Sequence, residues 1–269
     1  MSYDISLSEI IVYPVKSLAG ISLLNSQVNL EGLKQDRLMM LVDDNGLFIT
    51  QRKFPQLALL SVKLTTSGIK VSMPDLTSIA IGEKCFLEEK IDVRIWRDNC
   101  IVFVATKEIN LWFSQFLSMS VRLVKYDHLN PRATDLDFSE PDDVVSFADG
   151  FPLLIISQAS LDDLNSKLDE PVSMKNFRPN LVINNCESFA EDSWKQVKIG
   201  EVVFDAVKLC SRCVMTTVNP HTGKRSEYGE PYKKLSEYRE IEGNVYFGMN
   251  LIPRNKGVLT INDSIQIIE

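Results

Sequence analysis

Positive charge, long apolar runs and paired cysteines are all scarce in this 269-residue chain. Acidic residues outnumber basic ones 36 to 29, for a net charge of −7. That is the wrong footprint for binding phosphate backbones, so nucleic acid is not an expected partner. No apolar run approaches the roughly 18 residues of a membrane helix, so no membrane partner is expected. The longest candidates, such as FPLLII at 151–156, have the length of buried strands. The opening MSYDISLSEI carries an acid and no basic stretch, unlike a secretory signal. The five cysteines, Cys85, Cys100, Cys186, Cys210 and Cys213, are odd in number and scattered, which is no disulfide framework. A reducing cytoplasm is the expected location. Internal repeats and low-complexity segments are also missing.

What remains is an ordinary globular composition, 45% apolar and 24% charged, long enough for one large domain or two of usual size. The first ~120 residues read as short Val-, Ile- and Leu-rich strands separated by turns such as DDNG at 43–46 and RDN at 97–99. Such spacing suggests a barrel or sandwich. Ile109, Trp112, Phe113, Phe116 and Leu117 then form the stripe of an amphipathic helix. Residues 127–150 change character: seven acids face one arginine, and two prolines interrupt them. This stretch is either a solvated linker or a surface beside a site. The second half resumes with strand LLIIS (153–157) and a helix presenting Leu161, Leu164 and Leu168, for which Ser157 or Ser160 is a suitable N-cap. Further strands follow at 181–186, 202–210, 245–252 and 258–261, with a short helix at 233–239.

The stretch LCSRCVMTTVNPHTG (209–223) holds the chemistry-bearing pair Cys210 and Cys213. Structural zinc needs four ligands, and only Cys186 and His221 offer to complete the pair. A redox CxxC opens a helix, whereas VMTTVNP is β-branched and ends in a turn. Two buried, inert cysteines are the third possibility. Basic and polar residues also sit at strand ends: Lys16 and Ser17 in YPVKS, Arg37 in QDRLM, Arg178 in NFRPN. Gathered together beside the helix start at Ser157, they would suit an anion.

YPVKS, FADGFPLLIISQASLDDLN, NFRPNLVIN, EDSW, CSRCVMTTVNPHTG and FGMNL occur in that order from about residue 7 to 268. This ordered set resembles the MOSC family, in the branch that reduces amidoximes and other N-hydroxylated compounds. The resemblance implies a mainly β fold with a few helices: an N-terminal MOSC β-barrel domain (1–125) packed on a MOSC β-barrel domain (126–269). It implies a molybdenum–molybdopterin cofactor between them, with Cys213 as the protein's thiolate on molybdenum and Cys210 as a neighbour; soft sulfur suits such a metal. Lys16, Ser17, Arg37, Ser157, Asn176, Arg178, Ser211, Arg212 and Asn250 match its cofactor contacts. Asn250 has a structural alternative, as a strand asparagine satisfied by backbone. Asp149, in FADG, matches a residue near the metal that binds solvent or substrate. Arg212 adjoins Cys213, but strand alternation would send the two to opposite faces. Asn219 stands where relatives often have aspartate, and both residues suit turns.

The implied activity is reduction of N-hydroxylated bases, hydroxylamines or amidoximes. The chain ends without a ferredoxin-type cysteine cluster, so no iron–sulfur cluster is expected, and electrons would come from a separate flavoprotein reductase or ferredoxin-like protein. The membrane anchor of the mitochondrial relatives is not expected either. The alternative function is a molybdopterin-binding or sulfur-carrier module without turnover.

Overall fold

The computed structural model describes residues 4–269. Among the described residues the protein is mainly β with three α-helices. Its largest sheet has the strand order Ile21–Leu23, Ser6–Val12, Leu181–Asn184, Leu153–Ser157, Asn244–Pro253, Val202–Ser211, Gln196–Ile199, Ile265–Ile267. A bridge between Ser6 and Ser264 brings the far edge back to the first strand, so the sheet curls upon itself. Its interior is apolar: Leu7, Ile10, Leu153, Ile155, Leu181, Phe204 and Leu251 are all essentially inaccessible. Burial of each such side chain contributes roughly 1.5–3 kcal/mol.

Strand pairing does not follow a cut at residue 125. Ser6–Val12 pairs with Leu181–Asn184, and Gly257–Thr260 pairs with Asn25–Asn29. The first ~33 residues therefore belong structurally with the second half. The remaining N-terminal strands form a separate four-stranded sheet (Met39–Val42, Arg122–Lys125, Asp98–Ala105, Phe86–Ile95) and a three-stranded meander over 61–82. Helix α1 (Lys107–Leu117) covers their core with Ile109, Trp112, Phe113 and Leu117, as its stripe predicts. Among the described residues, no helix is long and apolar enough to cross a membrane.

Helix α2 (Gln158–Asn165) links the parallel strands Leu153–Ser157 and Leu181–Asn184, the pairing that needs a crossover. Helix α3 (Tyr232–Arg239) packs Leu235 onto the same outer face of the sheet. Ser157 is the α2 N-cap: its hydroxyl accepts from the Ser160 amide at 3.1 Å and sits 2.5 Å from the Ser160 hydroxyl.

Beside this cap lies Glu191, fully buried. Its Oε1 accepts from the Ser157 amide at 3.0 Å and the Ser160 hydroxyl at 3.1 Å, whereas Oε2 has no partner among the described residues. Burial raises the Glu191 carboxyl above the ordinary value, outweighing the bonds from Ser157 and Ser160. The folded state thus keeps a proton that the unfolded chain has already released. The stabilisation tied to that proton is complete below the unfolded pKa and is lost as pH rises through the folded one. Glu191→Gln keeps an acceptor for the Ser157 amide without titrating. Denaturant unfolding at pH 5 and pH 8 should show a smaller loss of stability in the Gln variant than in the parent. Equal losses would mean that Glu191 is ionised in the fold.

Candidate active-site cleft

The ends of these elements enclose a cavity of about 290 Å³. Six cationic side chains line it, Lys16, Arg37, Arg52, Arg178, Lys208 and Arg212, against two carboxylates, Asp135 and Asp149. In a chain of net charge −7, that local excess marks a place for an anion.

Tyr13 organises one wall. Arg178 stacks on one side of its environment at 4.2 Å from the ring centroid, and Arg37 lies 4.5 Å from the same ring. The Tyr13 hydroxyl donates to the Pro179 carbonyl at 3.1 Å, and burial pushes its pKa up to about 12, so it stays neutral. Arg37 donates to Asp36 at 2.5 Å, to Asn180 Oδ1 at 3.1 Å and to the Arg178 carbonyl at 3.1 Å. Asn180 also ties the Ile11 carbonyl to the Leu154 amide, coupling three segments distant in sequence. Arg178 donates to the Leu18 carbonyl at 2.7 Å, and burial lowers its pKa to about 10. Ser17, Arg37 and Arg178 all hold left-handed backbone (φ 73°, 50° and 56°), a conformation unfavourable for side chains with a Cβ. The Ser17 carbonyl is fixed by Gln51 at 2.6 Å.

Lys16 extends to the Phe147 carbonyl at 2.7 Å and to Asp149 at 2.5 Å. Burial brings Lys16 down to about 8 even though Asp149 opposes that shift. Enclosure by the cleft walls would raise Asp149 even though its side chain reaches the cleft water, but Lys16, Arg52 and Trp96 outweigh it and keep the carboxyl well below the usual range. Its side chain is 63% exposed to the water of the cleft, so this ion pair is screened and anchors geometry more than stability.

The segment 127–150 forms part of this wall and is no loose linker. Arg132 binds the Ser146, Ala148 and Asp149 carbonyls, fixing FADG from behind. Asp143 pairs with Arg254 at 2.7 Å, and Asp135 reaches Lys208 at 3.4 Å. Lys208 in turn lies 3.9 Å from the centre of the Phe138 ring.

The opposite wall is the end of strand Val202–Ser211. Its register shifts between Ala206 and Lys208 and again between Leu209 and Ser211. These irregularities break the alternation of faces, which is why consecutive residues 208–213 all line the cavity. Arg212 and Cys213 therefore share the cleft, contrary to the alternation argument, because the strand has ended at Ser211. Arg212 donates to Cys210 Sγ at 2.9 Å and to the Phe177 carbonyl at 2.6 Å; among the described residues its buried Nε has no partner. Cys213 precedes the 3-10 turn Val214–Thr217, whose Thr216 amide and hydroxyl bind its carbonyl. Among the described residues its thiol makes no hydrogen bond, and all five cysteines are free.

The structure thus gathers Lys16, Ser17, Arg37, Asp149, Arg178, Ser211, Arg212, Cys213 and Asn250 around one cavity. Asn250 donates to the Lys208 carbonyl at 3.0 Å and so also satisfies strand backbone. Two expected contacts lie elsewhere. Ser157 is inaccessible behind the sheet, committed to capping α2. Asn176 lies outside the cavity lining; its amide binds the Thr216 and Val218 carbonyls at 3.0 and 3.2 Å and braces the turn after Cys213. Sequence reading did not single out Tyr13, Asp36, Arg52, Trp96, Asn180 or Lys208, although Asn180 stands inside NFRPN. The zinc alternative finds no support: Cys186 packs against the sheet interior, His221 lines a separate small cavity, and no metal-holding group of three His, Cys, Asp or Glu gathers among the described residues.

The molybdopterin that the resemblance implies carries a phosphate, which needs anion-binding groups, and its metal would take one protein thiolate. The cationic lining, the unpartnered Arg212 Nε and the hydrogen-bond-free Cys213 thiol fit those needs.

Comparison with known proteins identifies both halves of the chain. Residues 5–120 match the MOSC N-terminal beta barrel domain, and residues 142–266 match the MOSC domain. The chain is 33% identical to mitochondrial amidoxime-reducing component 1 of Homo sapiens, over 98% of this chain and 83% of that protein. It is 32% identical to mitochondrial amidoxime reducing component 2 of Rattus norvegicus, over 97% of this chain and 82% of that one. With both domains matched in tandem and relatives aligned over nearly its whole length, the chain belongs to the MOSC family, in its two-domain form.

Proposed function

We propose that the protein is a molybdenum-cofactor-dependent reductase of N-hydroxylated compounds, including N-hydroxylated bases, hydroxylamines and amidoximes. The observation that carries this reading is the cleft: six cations around a thiol free of hydrogen bonds, in a chain whose relatives are named for amidoxime reduction. When bound, the cofactor supplies two-electron removal of the oxygen from an N–O bond. The protein's own groups bind and orient. Arg37, Arg178 and Arg212 would hold the anionic end of the cofactor, and the Cys213 thiolate would hold its metal. Asn176 and Thr216 fix the turn that carries Cys213. Asp149 stays ionised and accepts an N–H of the substrate. Lys16 Nζ, brought to about 8 by burial, holds a proton beside the reacting group and can exchange it near neutral pH. Electrons come from a separate donor protein, and the cytoplasm is the proposed location.

The test is to purify the chain from a host that makes the cofactor. Molybdenum and pterin are then measured, together with conversion of 6-hydroxylaminopurine to adenine by an artificial reductant. Near-stoichiometric metal with turnover is expected. Bound pterin without turnover of any N-hydroxylated compound would favour a carrier module, and a protein without molybdenum would end the reading.

A further inference from the structure

Trp96 occupies an unusual place for a tryptophan. It begins the two-residue turn that joins Ile95 to Asp98, strands paired directly across that turn. Its φ is 55°, a left-handed value that such turns normally give to Asn or Gly because a larger side chain crowds the backbone. The turn itself therefore does not call for an indole. The cleft does. Trp96 Nε1 donates to Asp149 Oδ1 at 3.2 Å, and Lys16 Nζ donates to the same oxygen at 2.5 Å. The Arg52 guanidinium lies 4.1 Å from the centre of the Trp96 ring, and Phe48 packs beside it at 5.0 Å between centroids. Oδ1 thus has two donors, and among the described residues no group bonds Oδ2. Arg132 holds the Asp149 carbonyl at 2.8 Å, so backbone and side chain are both fixed. The charges acting on the carboxylate are Lys16, Arg52, Arg37 and Arg178, all cationic.

We propose that Trp96 is a positioning residue. It fixes the Asp149 carboxylate so that Oδ2 stands free in the cleft as the acceptor for the N–H of an amidine-type group. In a lining rich in donors, one free carboxylate oxygen selects the donor end of a ligand. The inference rests on the reductase reading, because it names the part of the substrate that Asp149 receives.

Benzamidine, a simple planar amidinium, is the probe. Its dissociation constant is measured by calorimetry on the full chain purified from a cofactor-producing host, independently of turnover. Trp96→Phe keeps a ring but no donor. Trp96→Asn suits the left-handed turn and keeps the hairpin, which an unchanged melting temperature verifies. Both are expected to weaken benzamidine binding about tenfold, the range for losing one hydrogen bond to a charged group. The double variant Trp96→Asn/Asp149→Asn should bind no more weakly than Asp149→Asn alone, since the indole acts through the carboxylate.

Wild-type affinity in the Trp96 variants or fully additive losses in the double variant would overturn the proposal. So would a wild type that binds no benzamidine; if that protein still carries molybdenum and turns over, the reductase reading survives alone. The full pattern in a protein without molybdenum or turnover would keep the role of Trp96 and reject the reductase.

Discussion

Cys213→Ala is expected to leave the fold intact and remove the metal. The side chain is only partly buried, makes no hydrogen bond among the described residues and is not a member of the apolar cores, so its truncation creates no large cavity. The turn it precedes is held through its backbone carbonyl by Thr216 and from behind by Asn176, and the substitution touches neither contact. Thermal unfolding of the cofactor-free protein should therefore change little. Retained molybdenum should fall more than about a hundredfold in relative affinity, since even groups that merely orient a metal ligand commonly account for ten- to hundredfold. Reduction of 6-hydroxylaminopurine should drop to background. Cys210→Ala is the control. Cys210 Sγ accepts from Arg212 at 2.9 Å, so its loss loosens that guanidinium but removes no metal ligand, and a substantial metal content should persist. Equal loss of metal in both single variants would mean a two-sulfur site. Full retention in Cys213→Ala would remove the assignment of the ligand altogether.

How much of this cleft is legible in the sequence depends on whether a feature is local. The α1 stripe is local, and Ile109, Trp112, Phe113 and Leu117 point into the core as their spacing requires. The α2 cap is local too, and Ser157 illustrates a conflict. The same serine suits an N-cap and an anion site, and the structure spends its hydroxyl on the cap. Convergence of Lys16, Arg37 and Arg178 is not local. It depends on Ser6–Val12 inserting beside Leu181–Asn184, a pairing across some 170 residues that no periodicity encodes. The same pairing blurs the cut at 125. Bulges near the end of Val202–Ser211 set the aim of residues 208–213, and a strand pattern read with strict alternation misses them. Trp96 escapes because a tryptophan in a two-residue turn matches no functional pattern; only its φ and its bond to Asp149 give it meaning. Family resemblance supplied candidates where periodicity could not, and the geometry then separated those lining the cleft from those supporting it.

Arg178→Lys is expected to keep the charge and lose the grip. The arginine does three things at once: it donates to the Leu18 carbonyl at 2.7 Å, packs over Tyr13 at 4.2 Å, and lines the cleft. A planar fork can divide its five donors among such tasks, but an ammonium on a flexible stem cannot hold a carbonyl behind it and an anion in front of it together. The site is also demanding for any cation. Burial already lowers Arg178 to about 10, with Arg37 adding like-charge repulsion. A lysine starts from a lower intrinsic pKa and under the same burial would sit closer to neutrality, so part of its charge would be lost at working pH. Loss of a charged, two-pronged contact is worth about 1.5–3 kcal/mol, hence roughly ten- to hundredfold weaker cofactor retention. Molybdenum content after extended dialysis should show this against the parent. The deficit should grow between pH 7 and pH 9, because deprotonation removes the positive charge from lysine and not from arginine. Retention equal to the parent across that range would show that Arg178 supports Tyr13 and the Leu18 carbonyl without holding the anion, leaving Arg37 and Arg212 as the anion-binding set.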